Sequence, residues 1–154
     1  MTQPLIKPTI SADIDALGPV LDGTELFPRE MLPDMLAPFL AGETDAFWLT
    51  CHLNNTPVGF CFTAPEDLAD GTWNMLALAV HPDMQGQGLG AALVRFAEQR
   101  LKDAKQRILI VDTSGTNEFA LTRAFYVKNG FAEEARIRDF WADGDDKVIF
   151  RKAL

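Results

Sequence analysis

The densest chemical signal in the sequence is the hexapeptide Gln85-Gly-Gln-Gly-Leu-Gly90, which follows an apolar run from Thr72 to Val80 and leads into a helical pattern. Glycine at 86, 88 and 90 puts residues without a Cβ where the backbone has to turn tightly and approach something closely. The first N–H groups of a helix have no internal partner, and the positive end of its dipole favours a neighbouring anion by about 0.3–1 kcal/mol. Such a strand-to-helix loop suits a phosphate, whereas a plain connector has no need of three glycines.

The same stretch also reads as a dinucleotide fingerprint, Gly86-x-Gly88-x-x-Ala91, with Asp112 about twenty residues further on. Against a nicotinamide-dependent oxidoreductase stand the residues His81 to Gln85, a proline among them, that separate the strand from the first glycine. Only 42 residues follow Asp112, too few for a second nucleotide half and a substrate domain. No Gly-Lys-Ser/Thr follows the glycines, which excludes a P-loop.

Tyr126 is the only tyrosine, placed just before Gly130. It reads either as a general acid or as a ring packed in the core with its hydroxyl hydrogen-bonded. Cys51 and Cys61 are too few for a disulfide framework and have no Cys or His neighbour at metal-ligand spacing, so they are expected to be small reduced core residues. His52 is expected half-exposed on a strand and His81 in a surface turn; no metal site is expected.

These residues need a scaffold. The 154 residues, 47% of them apolar, make one domain over residues 1–154, with no repeat or linker to divide it. Strands are expected from Leu5 to Ile10, Ala46 to Leu53, Val58 to Thr63, Thr72 to Val80, Arg107 to Asp112, Phe131 to Trp141 and Lys147 to Arg151. Helices are expected from a Ser11 cap to about Leu21, from Pro28 to Leu40 with Pro33 and Pro38 breaking or bending it, from the glycines to about Lys102, and from Phe119 to Asn129 ahead of the Gly130 stop. In the third, Leu89, Leu93, Phe96, Ala97 and Leu101 form the buried stripe. Asn54-Asn55-Thr56-Pro57 and Asp143-Gly-Asp-Asp146 read as hairpin turns, and Thr113 to Glu118 as a loop. The order predicts a mixed α/β sheet, antiparallel at its start and end, with a strand-helix-strand unit in the middle.

At this point the chain resembles the GNAT superfamily of N-acetyltransferases. Gln85-x-x-Gly88-x-Gly90 after Val80-His81-Pro82 is similar to that family's pyrophosphate loop, and Phe125-Tyr-Val-Lys-Asn-Gly-Phe131 to its C-terminal helix motif. The resemblance implies a mostly antiparallel sheet of about seven strands with about four helices on its faces. It also implies an acetyl-CoA site in which Leu78, Ala79 and Val80 hold the pantetheine arm. Gln85, Gly86, Gln87, Gly88, Leu89, Gly90 and Ala91 would hold the pyrophosphate, and Tyr126 would protonate the departing thiolate. The implied activity is transfer of acetyl from acetyl-CoA to a primary amine of a small molecule or peptide, by direct attack in a ternary complex. A CoA-binding sensor without catalysis is the alternative.

The sequence departs from the family in two places. Many relatives carry a glutamate on the strand before the loop, where Trp73 to Val80 offers only Asn74 and Met75 among apolar residues; the family's asparagine seven residues before the tyrosine falls on Phe119, with Asn117 nearby. Deprotonation of the amine then runs through ordered water or a carboxylate from elsewhere. Asp112 and Glu25 are candidates, although a solvated loop or capping role is the better reading of each. A net charge of −8 disfavours nucleic acid. No apolar run approaches the roughly 20 residues that span a bilayer, and Met1 to Pro8 has no signal-peptide segment, so a cytoplasmic protein is expected. Phe27, Phe140 and Trp141 are expected along an acceptor pocket, and a homodimer stays open.

Overall fold

The computed structural model describes residues 3–154; Met1 and Thr2, which open the N-terminal segment read above, lie outside the described residues. The elements run β1 (Leu5–Pro8), α1 (Asp13–Thr24), α2 (Leu32–Leu40), β2 (Phe47–Leu53), β3 (Thr56–Pro65), β4 (Thr72–Val80), α3 (Leu89–Asp103), β5 (Ile108–Ser114), α4 (Ala120–Lys128), β6 (Ala132–Ala142) and β7 (Asp145–Ala153). The seven strands lie in the order β1-β2-β3-β4-β5-β7-β6. Pairing is antiparallel between β1 and β2, β2 and β3, β5 and β7, and β6 and β7, and parallel between β4 and β5. This is the expected mixed, mostly antiparallel sheet with four helices.

Local chemistry moves several boundaries. Ser11 is not the cap of α1: Ala12 precedes the helix, and the Asp13 carboxylate turns back to accept from the Ile10 N–H at 3.1 Å. The helix continues past Leu21 to Thr24, where Glu25 takes a left-handed φ of 55° and closes its N–H onto the Leu21 carbonyl. Pro28 opens a short 3-10 turn, Arg29–Met31, and α2 then starts with Pro33 in its first turn, where no N–H is needed. The first hairpin turns on two residues rather than four: Asn54 and Asn55 have φ of 52° and 64°, and Leu53 pairs with Thr56. Both residues in the left-handed region match the right-handed twist of the flanking strands. The last hairpin likewise turns on Asp143 and Gly144 alone, with Ala142 opposite Asp145.

The chain divides into two compact units, Met1–Ala64 with Leu76–Arg100, and Pro65–Met75 with Leu101–Leu154. In the first, Leu17, Val20 and Leu21 of α1 and Leu32 and Leu36 of α2 are buried with Trp48, Phe60, Ala77 and Ala79 of the strands. Leu89, Leu93, Val94 and Ala97 form the buried side of α3. Phe96, expected among them, is 42% exposed, because it falls at the margin of the stripe that Leu89, Leu93 and Ala97 define. Cys51 and Cys61 are free and buried, as expected. His52 is buried rather than half-exposed, its Nε2 3.3 Å from Asp13 Oδ1.

In the second unit, Leu109, Val111, Val148 and Phe150 of β5 and β7 are buried with Tyr126 and Phe131. The α4 helix ends in a Schellman closure: Phe131 N–H bonds to the Tyr126 carbonyl and Gly130 N–H to that of Val127, with Gly130 at φ 93°. The parallel pairing of β4 with β5 covers three rungs, Thr72↔Ile108, Trp73↔Leu109 and Asn74↔Ile110. β5 continues two residues beyond Asp112, so that residue lies inside a strand opposite Ile149 and not at its end.

Candidate active site

In the first unit the site is built on one continuous stretch of chain. Leu78, Ala79 and Val80 form the C-terminal end of β4. A 3-10 turn, Pro82–Met84, follows, in which the His81 ring accepts from the Asp83 N–H. Gln85 Nε2 then donates back to the Val80 carbonyl at 3.1 Å. Gly86 and Gly88 both have φ of +81°, and a Cβ added at either would meet nothing within 4 Å. That conformation favours glycine, and the space beside it is open. Leu89 is buried and anchors the first turn of α3, while Gln85 to Gly88 are exposed. Ala92 N–H reaches the Gly88 carbonyl at 3.0 Å, so the N–H groups of Leu89, Gly90 and Ala91 are the donors a helix start leaves without an internal partner. Backbone donors, a helix N-terminus and two Cβ-free positions facing open space fit a diphosphate.

Tyr126 lies in the second unit on α4, 5% exposed. Its ring centroid is 5.6 Å from that of Phe131, 5.6 Å from that of Phe150 and 5.2 Å from that of Phe125.

The second unit also holds a polar cluster that the sequence reading did not assemble. Asn74 Nδ2 donates to Glu66 Oε1 at 2.9 Å and to Asp112 Oδ2 at 3.2 Å. Lys147 Nζ lies 3.4 Å from the same Asp112 oxygen and 4.4 Å from the centroid of the Phe140 ring. Asn74 Oδ1 and Asp112 Oδ1 are buried without a hydrogen-bond partner. Asp112 is therefore a largely buried member of a network, not the solvated or capping carboxylate expected. The only sequence signal was Asn74, a polar residue in an apolar strand; Glu66 and Lys147 had none. Glu25, the other candidate, is exposed at the end of α1. It lines a groove of about 360 Å³ with Leu21, Asp22, Phe27, Arg29 and Glu30. Phe140 and Trp141 are about half exposed on β6. Among the described residues, no group of three or more His, Cys, Asp or Glu could hold a metal ion. No helix among them is long and apolar enough to cross a membrane.

A seven-stranded sheet with a parallel β4–β5 junction, and a glycine loop leading from β4 into a helix, is the fold this chain shares with known acetyltransferases. Residues 16–131 match the acetyltransferase (GNAT) family, and the chain belongs to it. It is 22% identical over 149 residues to an uncharacterised N-acetyltransferase of Methanocaldococcus jannaschii, covering 96% of this chain and 90% of that one. A GNAT-family acetyltransferase crystal structure from Desulfovibrio desulfuricans is similar at a TM-score of 0.87 and 26% identity, over 98% of this chain and 99% of that one. The yncA structure from Salmonella typhimurium, solved with its cofactor acetyl-CoA, is similar in fold at a TM-score of 0.78 and 16% identity, over 98% and 94% of the two chains.

Proposed function

We propose that this chain is a cytoplasmic, single-domain N-acetyltransferase spanning residues 1–154. It transfers acetyl from acetyl-CoA to a primary amine of a small molecule or peptide, by direct attack in a ternary complex. The observation that carries the reading is the Gly86 and Gly88 turn: two residues at φ +81° whose missing Cβ atoms border open space at the start of α3. Backbone groups from Gln85 to Ala91 hold the diphosphate there. Leu78, Ala79 and Val80 offer main-chain partners to the pantetheine amides, as an edge strand does for an added one. The β4–β5 ladder supports this, since its register ends at Asn74 and leaves the rest of β4 outside it. When bound, acetyl-CoA supplies an activated acyl group. In this reading Tyr126 donates its phenolic proton to the leaving sulfur. Neither cysteine is suited to a covalent intermediate, because burial pushes the Cys51 thiol up to about 11 and the Cys61 thiol up to about 12.

The competing reading, a CoA-binding module without catalysis, drew on the lack of a carboxylate on β4. Glu66 and Asp112 both reach Asn74 on that strand, which weakens it. The test is calorimetry with acetyl-CoA, followed by thiol release in the presence of polyamines, amino acids and peptides with free N-termini. Binding with release for at least one amine is expected. Binding without release for any would favour the non-catalytic module, and no binding would overturn the proposal.

A further inference from the structure

We infer that Arg123 is a positioning residue for Tyr126: it moors the start of α4 to the loop after β5 and so fixes where the tyrosine hydroxyl stands. This rests on the acetyl-transfer reading above, in which Tyr126 is the acid, and names the residue that holds that acid in place.

The start of α4 lacks the usual fastenings. Its N-cap position is Phe119, whose side chain accepts nothing from the first N–H groups, and no acidic residue lies in the first turn. The 3-10 turn before it, Asn117–Phe119, has no side-chain cap either. A helix start without such bonds keeps its first N–H groups unanchored and shifts readily.

Arg123 supplies the anchor from inside the helix. Its Nη1 carries two hydrogens and donates to two main-chain carbonyls, Ser114 at 2.8 Å and Thr116 at 2.6 Å. Among the described residues it has no ion pair, so the guanidinium serves geometry: one planar group set between two acceptors in a fixed relation. The loop that offers those carbonyls is tied in turn to β7. Ser114 Oγ donates to Asp145 Oδ1 at 2.5 Å and accepts from the Thr116 N–H at 3.1 Å, and the Gly115 N–H reaches the Asp146 carbonyl at 2.9 Å. The mooring point of α4 is therefore the end of the β5–β7 ladder, at Ser114↔Lys147.

Tyr126 follows Arg123 by three residues, a spacing that puts both on one side of the helix. Its ring packs against Phe131 and Phe150, and the Phe131 N–H closes on its carbonyl. Ring packing resists movement away from the sheet, whereas sliding and rotation of the helix about its own axis are resisted at its ends. The Gly130 closure holds the C-terminal end, and Arg123 joins the N-terminal half to a strand. An acid has to keep its hydroxyl within hydrogen-bond reach of the leaving sulfur, and a misplacement of about 1 Å can cost about 100-fold in rate.

A double-mutant cycle tests this, with thiol release followed for the amine that reacts fastest. Arg123→Ala is expected to lower kcat about 10- to 100-fold, with KM for the amine and affinity for acetyl-CoA changed by less than about twofold. Arg123→Lys keeps a donor of shorter reach and is expected to recover part of that loss; the cycle is run with it if Arg123→Ala does not fold. In a Tyr126→Phe background there is no phenolic proton to place, so the Arg123 substitution is expected to add little. An equal fold-loss in both backgrounds overturns the inference, because Arg123 then acts on the fold and not through the hydroxyl, and so does unchanged kcat in Arg123→Ala. A Tyr126→Phe protein as fast as wild type removes the acid and this inference with it, and leaves acetyl transfer standing. A wild type that binds acetyl-CoA but releases no thiol with any amine overturns both.

Discussion

Gln85 is tied back to the strand it leaves: its Nε2 donates to the Val80 carbonyl at 3.1 Å. That bond closes the link from His81 to Gln85 and sets where the glycine turn begins. Gln85→Ala is expected to weaken acetyl-CoA binding about 2- to 10-fold, the worth of one intramolecular hydrogen bond, with little change in melting temperature. Calorimetry and a thermal scan check both halves.

Gly88→Ala separates conformation from contact. The left-handed φ of +81° costs an alanine about 1–2 kcal/mol of stability, and no protein atom within 4 Å adds a clash. Affinity for acetyl-CoA is expected to fall by more than about tenfold, because the new Cβ enters the space assigned to the diphosphate. Equal effects on denaturant stability and on binding would remove the glycine from that role.

Tyr126→Phe keeps the ring among Phe125, Phe131 and Phe150 and removes only the hydroxyl. Turnover is expected to drop about 10²- to 10⁴-fold with nearly unchanged acetyl-CoA affinity. Steady-state kinetics alongside calorimetry decide it, since unchanged turnover leaves the ring as packing alone.

Gly59 on β3 packs against β4 so closely that an added Cβ would lie 2.8 Å from the Ala79 carbonyl oxygen. A backbone atom cannot swing aside as a side chain does. Gly59→Ala is expected to cost about 1–3 kcal/mol in urea unfolding, the usual range for overpacking.

Both thiols sit above their ordinary value of 9.0 because burial disfavours the thiolate, Cys61 more than Cys51. A raised folded-state value gives stability that is complete below pH 9 and is lost as pH rises towards 11 to 12. Melting temperature is therefore expected to decline above about pH 9, less steeply in Cys61→Ser corrected for its own stability. At pH 8 the native protein should show almost no reaction with a thiol reagent, and both cysteines should react once it is unfolded.

Much of the fold was legible because its signals are local. The apolar run ending at Val80, the three glycines and the Gly130 stop each act within a few residues, so β4, α3 and α4 could be placed from composition and spacing. Boundaries moved where a single neighbour decided them, as when Asp13 rather than Ser11 closed the start of α1. His52 was misplaced for a similar reason: strand alternation does not reveal that Asp13, 39 residues away, covers its ring nitrogen.

By itself, the sequence determined the order of strands and helices and the glycine turn from Gln85 to Ala91, because glycine conformation and helix-start donors depend only on adjacent residues. Tertiary structure alone decided the company Asn74 keeps. Glu66 and Asp112 stand 8 and 38 residues from it along the chain; the pairing of β4 with β5 brings Asp112 within hydrogen-bond distance, and the connection from β3 to β4, closed by the Glu66 N–H on the Thr72 carbonyl, brings Glu66. A lone asparagine in an apolar strand carries no mark of such partners, since side-chain electrostatics act through space and the chain's numbering does not encode it.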